Sequence, residues 1–470
     1  MSRKFKKERF DDVAVVDITA KGKGVVKSES GKVIFVDGVV PGDHVNVETY
    51  KKRRGYFEAN LLKIVKPSID RVIPPCEHFG VCGGCKWQNL DYEAQLRYKQ
   101  KEILHNLTHL SGMELPEIEP IKSVASPYFY RNKMEYSFSN QRWLTSEEID
   151  NKEESLEKKG LGFHKAGMWD KVVDIQKCHL QKEPANDIRN GIREYAIKND
   201  LDFFNPRAQE GFLRTLMIRN SSIGEFMVLI QFFKEDETKR VALLDYLKDN
   251  FEISSLLYCI NSKANDTLYD QEIELFDGRD YIIEKMEDLE FKVNAKSFFQ
   301  TNSDQAFELY KITREFADLN GDEVVYDLYT GTGTIAQFVA KKTKKVVGVE
   351  SVPEAIEAAK ENAHENKIDN AFFEVGDMKE VFNEDFINRH GKADVVITDP
   401  PRNGMHPDVV KQLIGLGAGK IVYVSCNNAT QARDLSLMSH AYKMTRCRAV
   451  DMFPQTQHVE NIVLLEKIST

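Results

Sequence analysis

The stretch Val324-Val-Tyr-Asp327-Leu-Tyr329-Thr-Gly331-Thr-Gly333-Thr334 decides the fold. A β-branched run ends in an acid, passes through a loop with two glycines and opens a helix. Such a turn lets the backbone approach a nucleotide-like ligand at the helix N-terminus. The next strand, Val346-Val-Gly-Val-Glu350, ends in an acid 23 residues after Asp327, the spacing at which a carboxylate meets ribose hydroxyls. Phe372-Phe-Glu-Val-Gly-Asp377 is a third strand ending in an acid, and Ala393-Asp-Val-Val-Ile-Thr-Asp399-Pro400-Pro401-Arg402 is a fourth. Lys420 to Val424 makes a fifth, and Ile462-Val-Leu-Leu-Glu-Lys467 an apolar last strand. Residues 290–470 thus read as a Rossmann-like βαβ domain.

The glycine loop is not the full G-x-G-x-x-G of dinucleotide sites, and the Asp399-Pro-Pro element sits where a target base would be held. The order therefore fits an S-adenosylmethionine-dependent methyltransferase sheet better than a dehydrogenase. At the end of the fifth strand, Val424-Ser425-Cys426-Asn427-Asn428 runs into a polar turn. In open α/β sheets the ligand crevice lies at the carboxyl ends of the strands, so Cys426 can face a substrate. A lone strand-end cysteine is more often a packing residue. The glycine loop and the Asp399 element supply other parts that such chemistry would require. Cys259 and Cys447 read as packing.

Upstream, residues 1–66 carry fifteen Lys/Arg against nine Asp/Glu, on a chain whose net charge is −9. Short strands at Val13–Ile18, Lys32–Val36, His44–Thr49 and Tyr56–Ile64, parted by glycine turns, make a small OB-like or SH3-like barrel. Lys51-Lys52-Arg53-Arg54, flanked by Tyr50 and Tyr56, suits phosphate attraction with stacking on bases. Residues 67–289 form a second unit. It opens with Cys76-x5-Cys82-Gly-Gly-Cys85, a spacing that brings three thiolates around one centre. Cys178 is a plausible fourth ligand, with His78 and His179 as competitors; the residues alone leave iron–sulfur and zinc open. Asp91 to Leu110 is an amphipathic helix with Tyr92, Leu96, Ile103, Leu104 and Leu107 on its apolar side; it could pack on the methyltransferase domain. Cations on the strand-like segments Tyr130–Lys133, Phe163–Lys165 and Leu213–Arg219 read as solvated faces. Ser146 to Lys159 reads as a charged, mobile insertion. No apolar run approaches a membrane span, and the basic N-terminus lacks an apolar core, so a cytoplasmic protein without a membrane partner is expected.

Taken together these motifs resemble the RNA (uracil-5-)-methyltransferases, and within them the bacterial 23S rRNA enzymes with a TRAM barrel and a [4Fe-4S] cluster. The resemblance rests on the barrel, the four cysteines, Ser297-Phe-Phe-Gln300-Thr-Asn302, Asp327–Gly333, Asp399–Arg402, Ser425-Cys426-Asn427 and His458-Val-Glu460. It implies Cys426 as nucleophile and Glu460 as base, with cofactor contacts from Gln300, Tyr329, Glu350, Asp377 and Asp399. It also implies a [4Fe-4S] cluster on Cys76, Cys82, Cys85 and Cys178, with zinc the less favoured occupant, and a monomer that acts on rRNA without a protein partner. A T-loop uridine of tRNA is the alternative substrate; a non-catalytic RNA-binding or assembly factor is the alternative of another class. One position departs from the family pattern: Asn428 stands where proline is usual.

Overall fold

A computed structural model describes residues 5–151 and 156–468. The stretch read as an insertion, Ser146 to Lys159, lies partly outside the described residues. Its described part includes a short helix, Ser146–Asn151.

The N-terminal strands Arg9–Ile18, Gly24–Lys27, Val33–Val36, His44–Lys52 and Phe57–Lys66 close into a five-stranded barrel. The sequence reading missed Gly24–Lys27, whose four residues follow a glycine turn without a period of their own. Val15, Val26, Ile34, Val36, Val45 and Val47 fill the barrel, as alternation along each strand requires. Lys51 to Gly55 are exposed. Arg53 is engaged with Glu58 at 3.1 Å, and the Tyr56 ring packs on Phe35 at 4.5 Å.

The central unit is built on a seven-stranded mixed sheet. Helices Ala185–Lys198 and Glu237–Asn250 cover one of its faces. The cations expected on solvated strand faces are partly inside. Arg214 and Arg219 are each 3% exposed. The Arg219 guanidinium donates to the carbonyls of Asn294 and Ser297 at 3.0 Å each, tying this sheet to the segment that leads to Gln300. A guanidinium has five donors and is stable inside wherever carbonyl oxygens surround it.

The C-terminal sheet has eight strands in the order 371–375, 345–350, 324–328, 395–398, 420–425, 460–467, 442–450, 119–122. The first five are parallel, and Glu460–Lys467 runs antiparallel to Lys420–Ser425. Two of these strands were not read from the sequence. Tyr442–Val450 mixes cations into its run, and Glu119–Lys122 is a four-residue edge strand.

Helix Tyr92–Leu110, capped by Asp91, packs on the methyltransferase sheet. Its buried face includes Ile103 and Leu107 but also Gln95 and Lys99, whereas Leu104 is exposed. Lys99 Nζ donates to Asp451 Oδ1 at 2.5 Å with both side chains fully buried, and Tyr92 donates to Oδ2 of the same carboxylate at 2.9 Å. Breaking such a pair from one side leaves a charge without a partner. Lys99→Met is therefore expected to cost about 3–5 kcal/mol, read as a lowered urea midpoint. Adding Asp451→Asn is expected to recover part of that loss.

Candidate active site

The site forms where strand register, one cap and one proline loop converge. Ser425 pairs with Asn461 across the antiparallel strands, so Cys426 and Glu460 stand together at the strand ends. That register is locked by buried amides. Gln431 Nε2 donates to the carbonyls of Tyr423 at 3.0 Å and Asn461 at 3.2 Å, and Asn461 Nδ2 donates back to Gln431 Oε1 at 2.8 Å. Cys447, buried as expected, donates its thiol to Asn461 Oδ1 at 3.4 Å.

Beyond Cys426 the chain turns into helix Asn428–Met438, whose cap is Asn427. The cap also holds the Asp399-Pro-Pro-Arg402 loop. The Arg402 carbonyl accepts from Asn427 Nδ2 at 3.0 Å and from the Thr430 hydroxyl at 3.2 Å. Further along the helix the fully buried Asp434 accepts from Met405 N at 2.8 Å and from the Tyr423 hydroxyl at 2.7 Å. Gly404, at φ +73, makes room for this clamp; a Cβ there would stand 2.6 Å from Asp434 Oδ2. Sequence reasoning missed Asp434, because an acid within Ala432-Arg-Asp-Leu435 looks like a helix-surface residue.

Cys426 is half-buried. Burial, then Glu460 and Asp399, pushes its thiol up to about 11, against Arg402, which faces the sulfur. Glu460 is 4% exposed. Burial and then Asp399 hold its carboxyl well above the usual range, again against Arg402. Burial and then Asp327 lift Asp399 to about 7. Asp399, Glu460 and the Cys426 thiol thus stand together with little solvent, and burial favours the protonated form of each.

The cofactor loop is shaped by its glycines and by Asp327. Tyr329, Gly331 and Gly333 all have positive φ. Gly333 lies under Phe373 and Ala359, where a Cβ would come within 2.7 and 2.9 Å, while nothing lies within 4 Å of a Cβ at Gly331. Asp327 is 1% exposed and accepts from the Thr330 hydroxyl at 2.5 Å and from Ala336 N at 3.0 Å. Glu350 accepts from Gly331 N at 3.3 Å and from Val352 N at 3.1 Å. A cavity of about 460 Å³ is lined by Tyr329, Ser351, Asp377, Met405 and Arg433. Gln300 lies two residues before the Asn302 helix cap, with its carbonyl taking Asn132 Nδ2 at 2.9 Å.

A second cavity, about 480 Å³, is lined by all four predicted thiols, Cys76, Cys82, Cys85 and Cys178. Arg131, Tyr269 and Phe298 border it as well. Burial raises Cys82 to about 11 and Cys85 to about 12, and the remaining thiols stand among the charges each one feels. His78 Nε2 is occupied by Gln176 N at 3.0 Å. Among the described residues no group of three or more His, Cys, Asp or Glu is drawn together as a site for a metal ion.

A parallel sheet with a glycine loop and acids at the carboxyl ends of its strands is the architecture of a nucleotide-cofactor enzyme. Residues 222–468 match the family model for tRNA (uracil-5-)-methyltransferases. The chain is 52% identical to an uncharacterized RNA methyltransferase of Bacteroides thetaiotaomicron, over 96% of this chain and 100% of the relative. It is 37% identical to one of Chlorobaculum tepidum, over 99% and 98%. The solved structure of Pyrococcus abyssi tRNA (uracil-54, C5)-methyltransferase with S-adenosyl-L-homocysteine superposes with a TM-score of 0.77 at 30% identity, over 97% of this chain and 100% of that one. The chain belongs to the RNA uracil-5-methyltransferase family and is an S-adenosylmethionine-dependent RNA methyltransferase.

The crevice carries a pH signature. Asp399 binds its proton more tightly folded than unfolded, so its contribution is full below its ordinary 3.8 and is lost as pH rises through about 7. The stability of Asp399→Asn relative to the native protein is expected to improve across that window, measured as the difference in urea midpoint at each pH.

Proposed function

We propose that the protein methylates carbon 5 of a specific uridine in 23S rRNA, giving 5-methyluridine, through a covalent bond between Cys426 and carbon 6. One observation supports the chemistry: Cys426 follows the strand residue that pairs with Asn461, beside Glu460, with Asp399 and Arg402 facing both; the choice of 23S rRNA rests on the family resemblance. Carbon 5 of uracil is a poor nucleophile. Cys426 loses its thiol proton to solvent, favoured by the Arg402 guanidinium facing the sulfur, and as thiolate adds to carbon 6, the ring electrons moving toward the oxygen on carbon 4 and leaving carbon 5 able to attack. Bound S-adenosylmethionine supplies the methyl as an electrophile on a sulfonium. The Glu460 carboxylate then takes the proton from carbon 5, and the carbon–sulfur bond breaks to return Cys426 as thiolate. Asp399 borders both the cofactor and the imide edge of the base, and Arg402 steadies a phosphate. The target base must leave its stack to reach a half-buried thiol.

Tyr329 and Asp377 hold the nucleoside end of the cofactor, with Glu350 on the ribose and Gln300 and Asp399 toward the sulfonium. A positive sulfonium here would lower the raised carboxyls and leave Glu460 ionised for its step. Cys76, Cys82, Cys85 and Cys178 all line one cavity, and we assign them to a [4Fe-4S] cluster rather than zinc on the family resemblance, since thiolate ligands suit either. The cluster would stiffen the loop that carries its ligands.

A uridine of the tRNA T-loop is the second reading, favoured by the Pyrococcus abyssi structure, which matches across the barrel as well. Mapping 5-methyluridine in rRNA and tRNA from a deletion strain separates the two; loss confined to tRNA would overturn the rRNA assignment. Cys426→Ala is expected to abolish methyl transfer, and Glu460→Gln to accumulate an enzyme–RNA complex that survives a denaturing gel. A fully active Cys426→Ala enzyme would remove the nucleophile. Protein purified without air is expected to absorb broadly in the visible and to contain iron and sulfide; a colourless zinc protein would overturn the cluster.

A further inference from the structure

Helix Tyr92–Leu110 belongs to the part of the chain that carries the thiols, yet it reaches the turn beside Cys426. Gln95, Lys99, Glu102 and Asn106 recur at helical spacing, so they share one face. From Gln95 to Asn106 that face extends about 16 Å along the axis. At one end Gln95 exchanges hydrogen bonds with Gln455, at 3.0 Å to its side chain and 2.9 Å from its backbone N–H, and Lys99 binds Asp451 and the Phe453 carbonyl. At the other end Asn106 Nδ2 donates to Asn428 Oδ1 at 2.5 Å, and the Glu102 carboxylate faces the same Asn428 amide. Asn428 is 5% exposed and is the first residue of the helix that follows the Cys426 turn.

The first helical position favours proline, whose ring holds φ near −65° and whose missing N–H costs nothing there. Asparagine has no such restraint and prefers turns and caps. At position 428 the restraint is instead external, an amide held by Asn106 of another helix, with Glu102 facing it from the turn before. We infer that Asn106 and Glu102 are positioning residues for the nucleophile: through Asn428 they hold the turn that aims the Cys426 sulfur. The inference rests on Cys426 being the nucleophile, a reading that Cys426→Ala tests by itself.

The experiment is a double-mutant cycle read at the addition step. RNA carrying 5-fluorouridine at the target, in the presence of S-adenosylmethionine, retains the covalent complex because no proton can leave carbon 5. Asn106→Ala is expected to slow formation of that complex by about tenfold, the scale of one hydrogen bond, with the affinity for S-adenosylmethionine unchanged. Asn428→Pro introduced into Asn106→Ala is expected to restore the rate, because the ring supplies the restraint that the amide has lost. Glu102→Met, which keeps the length and removes the acceptor, provides a second variant with the same direction. A native rate of adduct formation in both Asn106→Ala and Glu102→Met would overturn the inference, and so would a double variant as slow as Asn106→Ala. Neither result would touch the nucleophile assignment, since the complex would still form. If Asn106→Ala fails to fold, Glu102→Met with and without Asn428→Pro decides the question alone.

Discussion

The site depends first on one antiparallel register. Lys420–Ser425 and Glu460–Lys467 are both buried through most of their length, so hydrophobic pattern alone would tolerate a slip by two residues. What forbids it is polar. Gln431 and Asn461 exchange hydrogen bonds inside the core, and each would be left without a partner in any other register. The same lock that stabilises the sheet therefore fixes which acid stands beside Cys426. Glu460 is the residue preceding Asn461, and moving one moves the other.

The second constraint is charge. Asp327, Asp399 and Glu460 each stand above the ordinary carboxylate range because burial favours the neutral form. Asp327 spends its oxygens within its own turn, on Thr330 and Ala336, and so serves the loop's shape. Asp399 and Glu460 face Cys426 together with Arg402. A crevice of this kind is poor in cations and accommodates one readily.

Much of this was legible in the sequence, and the limits are physical. The glycine loop, the acids ending successive strands and the clustered cysteines were readable because each is a local pattern with a fixed offset. Strands 24–27, 119–122 and 442–450 were not, since a short or cation-bearing strand takes its identity from its neighbours. Asp434 and Lys99 escaped for a related reason. Each looks like a surface charge in its own helix, and only the partner from a distant segment, Met405 for one and Asp451 for the other, shows it to be interior. Asn428 was visible as a departure from pattern, but its partners Asn106 and Glu102 lie more than 300 residues earlier.

The segment that leads into Glu460 explains why the methyltransferase domain is joined so closely to what precedes it. Residues 451–459 have no regular structure, and most of them are buried. Buried backbone carbonyls need partners, and a chain outside a helix or sheet supplies few of its own, here Thr456 to the Phe453 carbonyl. Five consecutive carbonyls find them elsewhere. Gln305 takes Asp451, Asn302 takes Met452, Lys99 takes Phe453, Tyr130 takes Pro454, and the N–H groups of Lys86 and Trp87 share Gln455. Three of those five lie in the thiol-bearing part of the chain, and Lys86 directly follows Cys85. The path to Glu460 is thus completed by residues beside the thiol cavity, and a methyltransferase domain cut away from them would lose the edge strand Glu119–Lys122 together with the donors to Phe453, Pro454 and Gln455.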